Sequence, residues 1–233
     1  MSKQLRLGFP ENALGFEDIC ISSSNEAALI VIRDIARWPD PAICLLGAPR
    51  SGLTTGAQAW AIEQKADLVS TDEFDQMGHE CIEKLASSHS AIDNADRVKN
   101  KDNLLSLINL SETHRTCILL TSRISPTNWP MGGSADLRSR LESMPIVELE
   151  EPDHGLLAER LIAACRQRFL KLPENAAEFL AKRMERSFEA IEDLADRLDA
   201  AVSEPGTKLT VKTARDVLKE GAGTRPLFDD DTD

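Results

Sequence analysis

The chain has no run of apolar residues long enough to cross a bilayer, and residues 1–9 lack the basic-then-apolar layout of a secretory signal. We therefore expect a cytoplasmic protein with no membrane association. Dense clusters of lysine or arginine are missing as well, and the formal charge of the 233 residues is -12. Because clustered cations drive ordinary duplex binding through counterion release, this composition disfavours autonomous DNA binding and leaves only local basic patches for it.

Paired cysteines and clustered histidines are also absent. The five cysteines form no CxxC pair and mostly lie inside apolar runs, which predicts small core residues in a reducing compartment. The four histidines stand singly, and only His79 with Cys81 approaches the spacing of metal ligands. Two ligands do not make a zinc site, and the pattern around them favours a helix, so we predict no bound metal.

Short apolar segments alternate with polar or amphipathic stretches through residues 24–151. A polar cap followed by apolar residues at helical spacing over 25–33 predicts a first helix that ends near Trp38 and Pro39. The five predicted strands are 42–46, 67–69, 90–92, 117–121 and 145–149. The segments between them are long enough for helices, and this alternation predicts an α/β fold with a mostly parallel sheet and helices on both faces.

Beyond Pro152 the sequence shows helix signals alone. The four predicted helices are 156–169, 176–184, 191–202 and 211–218. We therefore expect a small all-helical domain after the α/β core. The predicted division is an exposed N-terminal peptide at 1–14, the core at 15–151, the helical domain at 152–221 and a disordered acidic tail at 222–233.

A glycine-rich loop lies directly after the first predicted strand and before a helix. Residues 47–54 preserve the spacing G-x-x-x-x-G-x-T of a phosphate-binding loop, whose backbone N–H groups and helix N-terminus hold phosphate oxygens. The lysine that would reach the β- and γ-phosphates is replaced by Leu53, so the loop has lost its fixed positive charge. Nucleotide affinity should fall sharply, and a glycine-rich turn that binds nothing is favoured over tight ATP binding.

An acidic residue ends the third predicted strand. Asp93 stands where a Walker B aspartate orients a magnesium ion and the attacking water. Its neighbour Asn94 cannot accept a proton at neutral pH, so the general base of an ATPase is missing. Taken alone, a strand-terminal aspartate is commonly a turn or helix cap. The candidate nucleotide-binding residues are Gly47, Ser51, Gly52, Thr54, Thr55 and Asp93.

Over nearly its whole length the chain resembles the Hda family of DnaA-related AAA+ proteins, particularly its alphaproteobacterial members. The segments that carry the resemblance are 4–9, 16–28, 37–39, 47–54, 92–96, 119–123, 136–141 and 183–188. The resemblance implies an AAA+ fold with a P-loop NTPase-like parallel sheet, followed by an all-helical lid domain. It also implies a negative regulator of DNA replication initiation that promotes hydrolysis of the ATP bound to DnaA.

In that family the N-terminal peptide binds the DNA polymerase sliding clamp. By the resemblance, Gln4 enters a polar subsite of the clamp, and Leu5, Leu7 and Phe9 fill an apolar groove. Large apolar anchors are what a flexible peptide needs to offset the entropy lost on binding. The alternative is that this segment packs on its own core as a strand or staple.

The resemblance also assigns a role to the segment 136–141. Arg140 matches the arginine finger that a DnaA-type subunit extends into its neighbour's ATP site, where a guanidinium stabilises charge on the γ-phosphate. We predict Arg140 as the functional residue and Arg138 as support, the alternative being that both are solvated helix charges. Two positions depart from the family, because Glu189 replaces the sensor-2 arginine of DnaA and Arg123 occupies the sensor-1 acid position.

These features predict an adaptor and not an enzyme. The peptide would bind a DNA-loaded clamp, the AAA+ face would meet ATP-bound DnaA, and DNA would be reached only through the clamp. ADP is the candidate cofactor, and we expect it bound weakly or not at all because Leu53 replaces the lysine. A homo-oligomer is left open. The alternatives are a self-contained P-loop nucleotide-binding ATPase or switch, and a divergent paralogue that no longer stimulates DnaA.

Overall fold

The computed structural model describes residues 14–130, 134–202 and 209–221. Within these ranges five parallel strands form one sheet in the order β2-β3-β4-β1-β5. The strands are β1 (Ala42–Gly47), β2 (Asp67–Ser70), β3 (Ser90–Asp93), β4 (Ile118–Ser122) and β5 (Ile146–Leu149). All five predicted strands are confirmed, each to within one residue at either end.

Helices precede the sheet and connect its strands. These helices are α1 (Glu26–Arg33), α2 (Leu53–Gln64), α3 (Thr71–Asp75), α4 (His79–Ala86), α5 (Lys101–His114) and α6 (Ala135–Ser143). Every connection between successive strands contains at least one of them, because parallel strands need a crossover long enough to return to the same edge of the sheet. The strands' carboxyl ends therefore lie along one edge, and the loops that follow them meet there.

Side chains that alternate along the strands enter two apolar clusters, one on each face of the sheet. Cys44 and Leu120 pack with the buried side chains of α4, α5 and α6, whereas Leu45 and Leu119 pack with those of α1 and α2. Because both faces are covered, the strands are nearly continuous apolar runs, as expected of a buried parallel sheet. The predicted α/β fold class with helices on both faces is confirmed.

The chain divides into two compact units. The first contains the sheet and comprises residues 14–19, Ala27–Gly47 and Gly52–Leu149 of the described chain. The second contains four helices, which are α7 (His154–Gln167), α8 (Glu174–Ala181), α9 (Phe188–Val202) and α10 (Val211–Gly221). Segments Cys20–Glu26 and Ala48–Ser51 group with this second unit. None of the helices in the described ranges is long and apolar enough to span a bilayer.

The cysteines differ in burial. Cys44 and Cys165 are buried, and burial raises the pKa of their thiols to about 12 and about 11, so both stay protonated at neutral pH. Cys81 is exposed, and the prediction of a core position is wrong for this residue. The reason is the register of α4, which buries Ile82 and Leu85 against the sheet and leaves Cys81 facing solvent.

An aspartate caps the first helix of the second unit. Asp153 accepts a hydrogen bond from the Leu156 N–H at 2.8 Å and another from the Ser23 hydroxyl at 2.8 Å. The carboxylate thus satisfies one of the unpaired N–H groups at the start of α7 and ties the segment before α1 to it. These two hydrogen bonds, the backbone one first, lower the pKa of Asp153 below its ordinary value.

We expect Asp153→Ala to destabilise the second unit by about 1–2 kcal/mol, because a helix cap and a charged hydrogen bond are lost together. Since the folded-state pKa lies below the unfolded value, the carboxylate stabilises the fold above roughly pH 4 and loses that effect as pH falls through the folded pKa. Urea unfolding followed by far-UV circular dichroism at several pH values measures both effects.

The matched control is Asp193→Ala, which removes an exposed carboxylate whose ion pair with Arg197 is 3.7 Å long. Its expected cost is below about 0.5 kcal/mol. An Asp153→Asn variant that kept the wild-type dependence on acid pH would contradict the assignment. Tryptophan fluorescence is unsuitable for this unit, because Trp38, Trp60 and Trp129 all belong to the first one.

Candidate functional site

The candidate phosphate loop joins β1 to α2. Its turn is closed by a hydrogen bond from the Ser51 N–H to the Ala48 carbonyl at 3.1 Å. Gly52 has φ 104° and ψ 18°, a left-handed conformation that a residue with a Cβ adopts only at an energetic cost. The helix begins at the next residue, and no side chain caps its first N–H groups. The loop therefore has the backbone form of a phosphate cradle.

The residue at the lysine position lies in the core. Leu53 is 7% exposed and packs in the apolar cluster that also contains Ile43, Ala57 and Leu119. The side chain has thus become part of the packing between α2 and the sheet. Leu53 therefore lacks the charge of a lysine, as predicted from the sequence, and in addition it contributes to the hydrophobic core.

Asp93, at the end of β3, accepts three side-chain hydrogen bonds. Its Oδ1 accepts from the Thr121 hydroxyl at 2.7 Å, and its Oδ2 accepts from the Thr54 hydroxyl at 2.9 Å and the Asn94 amide Nδ2 at 2.9 Å. The strand order explains this arrangement, since β4 lies between β1 and β3 and brings Thr121 beside the acid. Both oxygens of the carboxylate are engaged by the protein itself.

Asn94 is held in a specific backbone conformation next to this acid. Its φ of 56° and ψ of 48° are left-handed, and its N–H donates to the Thr121 hydroxyl at 2.8 Å. The Thr71 hydroxyl donates to the carbonyl of Asp93 at 2.7 Å and to that of Asn94 at 2.9 Å. The amide side chain therefore serves the internal network, and it has no proton-accepting group with which to activate a water.

The loop fits a phosphate group but not a complete hydrolytic site. A Cβ added at Gly52 would meet no atom within 4 Å, so the space above the glycine is open. The Ser51 hydroxyl is buried and has no hydrogen-bond partner among the described residues. Three features argue against hydrolysis. Leu53 occupies the lysine position, the Asp93 carboxylate is already hydrogen-bonded within the protein, and Asn94 cannot act as a base. The residues present would hold a nucleotide's phosphates through backbone N–H groups alone.

Arg140 lies in the last turn of α6, at the edge of the face that buries Leu137 and Leu141. Its Nη2 contacts the Oε2 of Glu112 on α5 at 3.0 Å, and 42% of its side chain is exposed. An exposed ion pair of this kind contributes less than about 1 kcal/mol, so a competing anion can replace Glu112. Arg138 is exposed, and its side chain has no hydrogen-bond or ion-pair partner among the described residues.

The two positions that depart from the family pattern lie at the surface. Arg123 is exposed in the bend after β4, and Glu189 is exposed in the first turn of α9. Arg186, close to Glu189 in sequence, donates from Nε to the Pro152 carbonyl at 3.2 Å. The residue that contacts Asp93 from β4 is Thr121, which the sequence pattern did not single out, because a threonine inside an apolar strand carries no signal of its own.

The predicted clamp-binding residues Gln4, Leu5, Leu7 and Phe9 lie outside the described residues, as does the acidic tail at 222–233. Of the other predicted residues, Gly47 ends β1 and Thr55 is half-buried in the first turn of α2. The structure therefore brings Thr54 together with Asp93 and leaves Arg140 at a separate surface.

No protein-family model matches the chain. The chromosomal replication initiator DnaA of Geobacter metallireducens is 32% identical over 111 residues, which are 48% of this chain and 24% of DnaA, so the chain spans about a quarter of that relative's length. AMPPCP-bound DnaA from Aquifex aeolicus superposes with a TM-score of 0.67 at 17% identity, over 91% of this chain and 71% of that one. Domain III of Thermotoga maritima DnaA superposes with a TM-score of 0.65 at 17% identity, over 88% of this chain and 95% of that one.

The strand order, the loop after β1 and these superpositions show a P-loop fold of the AAA+ type, shared with the superposed DnaA structures. The sequence similarity goes further and relates the chain to the replication initiator DnaA. The predicted resemblance to DnaA-related proteins is confirmed in the fold and in the sequence similarity over these 111 residues.

Proposed function

We propose that this chain is a regulator of replication initiation that hydrolyses no ATP of its own and promotes hydrolysis of the ATP bound to a partner DnaA. Its own site supports the first half of the proposal. Leu53 is built into the core, both oxygens of Asp93 are engaged, and Asn94 cannot act as a base. Catalysis therefore takes place in the partner, which is related to this chain in fold and sequence.

The observation that carries the second half is the position of Arg140. The guanidinium is partly exposed on α6, and its one ion pair within the described ranges is with Glu112 at the surface. In a complex, the γ-phosphate of the partner's ATP replaces the Glu112 carboxylate as the anion that Arg140 contacts. A planar guanidinium donates two parallel hydrogen bonds to phosphoryl oxygens and stabilises the charge that develops on them during transfer to water.

The N-terminal peptide supplies the tether in this proposal. Gln4, Leu5, Leu7 and Phe9 bind the sliding clamp, so that DNA is reached through the clamp and not by the chain itself. A formal charge of -12 fits an indirect contact with DNA. Tethering raises the effective concentration of the regulator near DnaA on the same DNA, which increases stimulation without any new contact between the two proteins.

The test measures hydrolysis of DnaA-bound ATP in the presence of clamp-loaded DNA. The wild-type chain is expected to stimulate hydrolysis, and Gln4→Ala to lose the clamp-dependent part, a reduction of at least about tenfold. Lys3→Ala, which changes the same peptide outside the proposed anchors, is the control. Stimulation that is equal with and without the clamp rejects the tether, and clamp binding without stimulation identifies a divergent paralogue.

A second candidate is a nucleotide switch without turnover. The open space above Gly52, the uncapped start of α2 and the unpartnered Ser51 hydroxyl favour it. In that case ADP occupies the loop and sets the conformation in which the chain meets DnaA. Titration of the isolated chain with ADP and ATP separates the candidates, and magnesium-dependent turnover by the isolated chain contradicts both.

A further inference from the structure

Phe169 is the most exposed large apolar residue in the described part of the chain, at 99% exposure. It directly follows the residue that caps α7, and its φ is 60°, in the left-handed region. Its N–H donates to the Arg166 carbonyl and the Leu170 N–H donates to the Cys165 carbonyl, the pattern of a helix end that usually has glycine at this position. The chain thus keeps a strained phenylalanine that buries no surface within its own unit.

A shallow depression lies beside this side chain. Its volume is about 550 Å³, and its apolar lining consists of Ile162, Phe169, Leu170, Leu172 and Pro173. We call this depression the Phe169 surface. Exposed aromatic and aliphatic groups around a concavity are typical of a binding surface, because leaving them in water is unfavourable.

The rim of the Phe169 surface is mainly basic. Arg166 and Lys171 are exposed, and neither has an ion-pair partner among the described residues, whereas Glu174 is the acid on the same rim. In a chain with a formal charge of -12, two unpaired cations beside an apolar depression select an occupant with apolar residues next to acidic ones.

Helix α9 contacts both the end of α7 and the last turns of α10. Asp196 on α9 contacts Arg168, the residue before Phe169, at 2.7 Å. The next residue of α9, Arg197, donates from Nη2 to the carbonyl of Val217 in the last turns of α10. Two neighbouring positions of α9 therefore contact the residue before Phe169 and the last turns of α10, the helix from which residues 222–233 continue the sequence.

We propose that residues 222–233 bind the Phe169 surface within the same chain. This segment contains Leu227 and Phe228 followed directly by Asp229, Asp230 and Asp231. The two apolar side chains cover Phe169 and the depression, and the aspartates lie beside Arg166 and Lys171. Leu227 is the sixth residue after Gly221, and six extended residues reach roughly 20 Å, about twice the diameter of a helix.

Charge favours residues 222–233 over two other possible occupants, a second copy of this chain and a nucleic-acid strand. A second copy of the same surface would bring Arg166 and Lys171 of both copies together, which is repulsive. A nucleic-acid strand would gain only two phosphate contacts and one stacked base. The chain's own segment has the matching order of apolar and acidic residues, and its covalent attachment gives it a high effective concentration.

Hydrogen exchange of the full chain, read by mass spectrometry, tests the proposal. In the wild type we expect the amides of residues 226–231 to exchange at least about tenfold more slowly than in an unfolded peptide of the same sequence. Phe169→Gly should abolish this protection and leave that of α7 and α8 intact, because glycine suits the left-handed position. Changing Asp229, Asp230 and Asp231 together to asparagine should weaken it, and added salt should do the same.

Asp216→Asn, an exposed acid on α10 outside the proposed contact, is the control and should change nothing. The proposal is overturned by fully unprotected amides at 226–231 in the wild type, or by protection that survives Phe169→Gly. Protection that depends on protein concentration would instead identify a second copy as the occupant, and it too rejects the intramolecular contact. This experiment contains neither DnaA nor clamp, so its outcome is independent of the proposed regulatory function.

Discussion

Arg140→Ala is expected to reduce the stimulated hydrolysis of DnaA-bound ATP by about 10³-fold, the effect of losing an arginine finger. The reason is that no other group of this chain is proposed to contact the transferred phosphoryl. The variant should remain folded, because the side chain is 42% exposed and its one partner, Glu112, is also exposed. The measurement is the rate of ADP formation from prebound ATP in DnaA, with the clamp-loaded DNA held constant.

Three further variants give this prediction its specificity. Arg138→Ala removes an exposed arginine from the same helix and should reduce the rate less than about threefold. Arg140→Lys should stay close to the alanine variant, since an ammonium cannot donate the paired hydrogen bonds of a guanidinium. Glu112→Gln removes the competing carboxylate and should leave stimulation equal to or above that of the wild type. If Arg140→Ala stimulated as well as Arg138→Ala, the role of Arg140 would be rejected.

Asp93→Ala is expected to lower the free energy of unfolding of the first unit by about 3 kcal/mol. The substitution removes the common acceptor of the Thr54, Thr121 and Asn94 side chains. The Thr121 side chain is buried, so its hydroxyl cannot turn to solvent for a replacement. Urea unfolding followed by tryptophan fluorescence measures the change, because all three tryptophans belong to this unit.

Thr54→Val is the graded comparison for Asp93→Ala. It removes one exposed donor and leaves the other two hydrogen bonds, so its expected cost is about 1 kcal/mol. The loss in free energy of unfolding for Asp93→Asn should lie between those of Thr54→Val and Asp93→Ala, since an amide keeps one acceptor oxygen and turns an NH₂ group toward a donor. An alanine variant as stable as the wild type would mean that the network does not support the fold, and Asp93 would then be free to serve a metal ion.

Most of the fold follows from local signals in the sequence. The strands are short apolar runs between turn residues, and the helices have polar caps and apolar residues at helical spacing, so both kinds of element are predictable. The loop after β1 is predictable for the same reason, since glycine spacing determines its backbone. The resemblance to DnaA-related proteins adds Arg140, which local pattern alone leaves as one surface charge among several.

The remaining features depend on contacts between distant parts of the chain. Thr121 meets Asp93 only because β4 lies between β1 and β3, and Glu112 meets Arg140 only because α5 and α6 are neighbours. Phe169 shows a different limit, because its positive φ contradicts the local preference for glycine at such a helix end. Sequence reasoning assigns each residue its commonest conformation, and it misses positions where the hydrogen bonds of a helix end hold the backbone in another.

The burial of Leu53 makes the missing lysine difficult to install. A lysine at this position would bring an ammonium group next to Ile43, Ala57 and Leu119, which lowers stability before any nucleotide affinity is gained. A glutamate restored at position 94 would meet the carboxylate of Asp93, with which Asn94 now makes a hydrogen bond. Each of these two substitutions costs stability when made alone, so installing both catalytic groups requires compensating changes in the core.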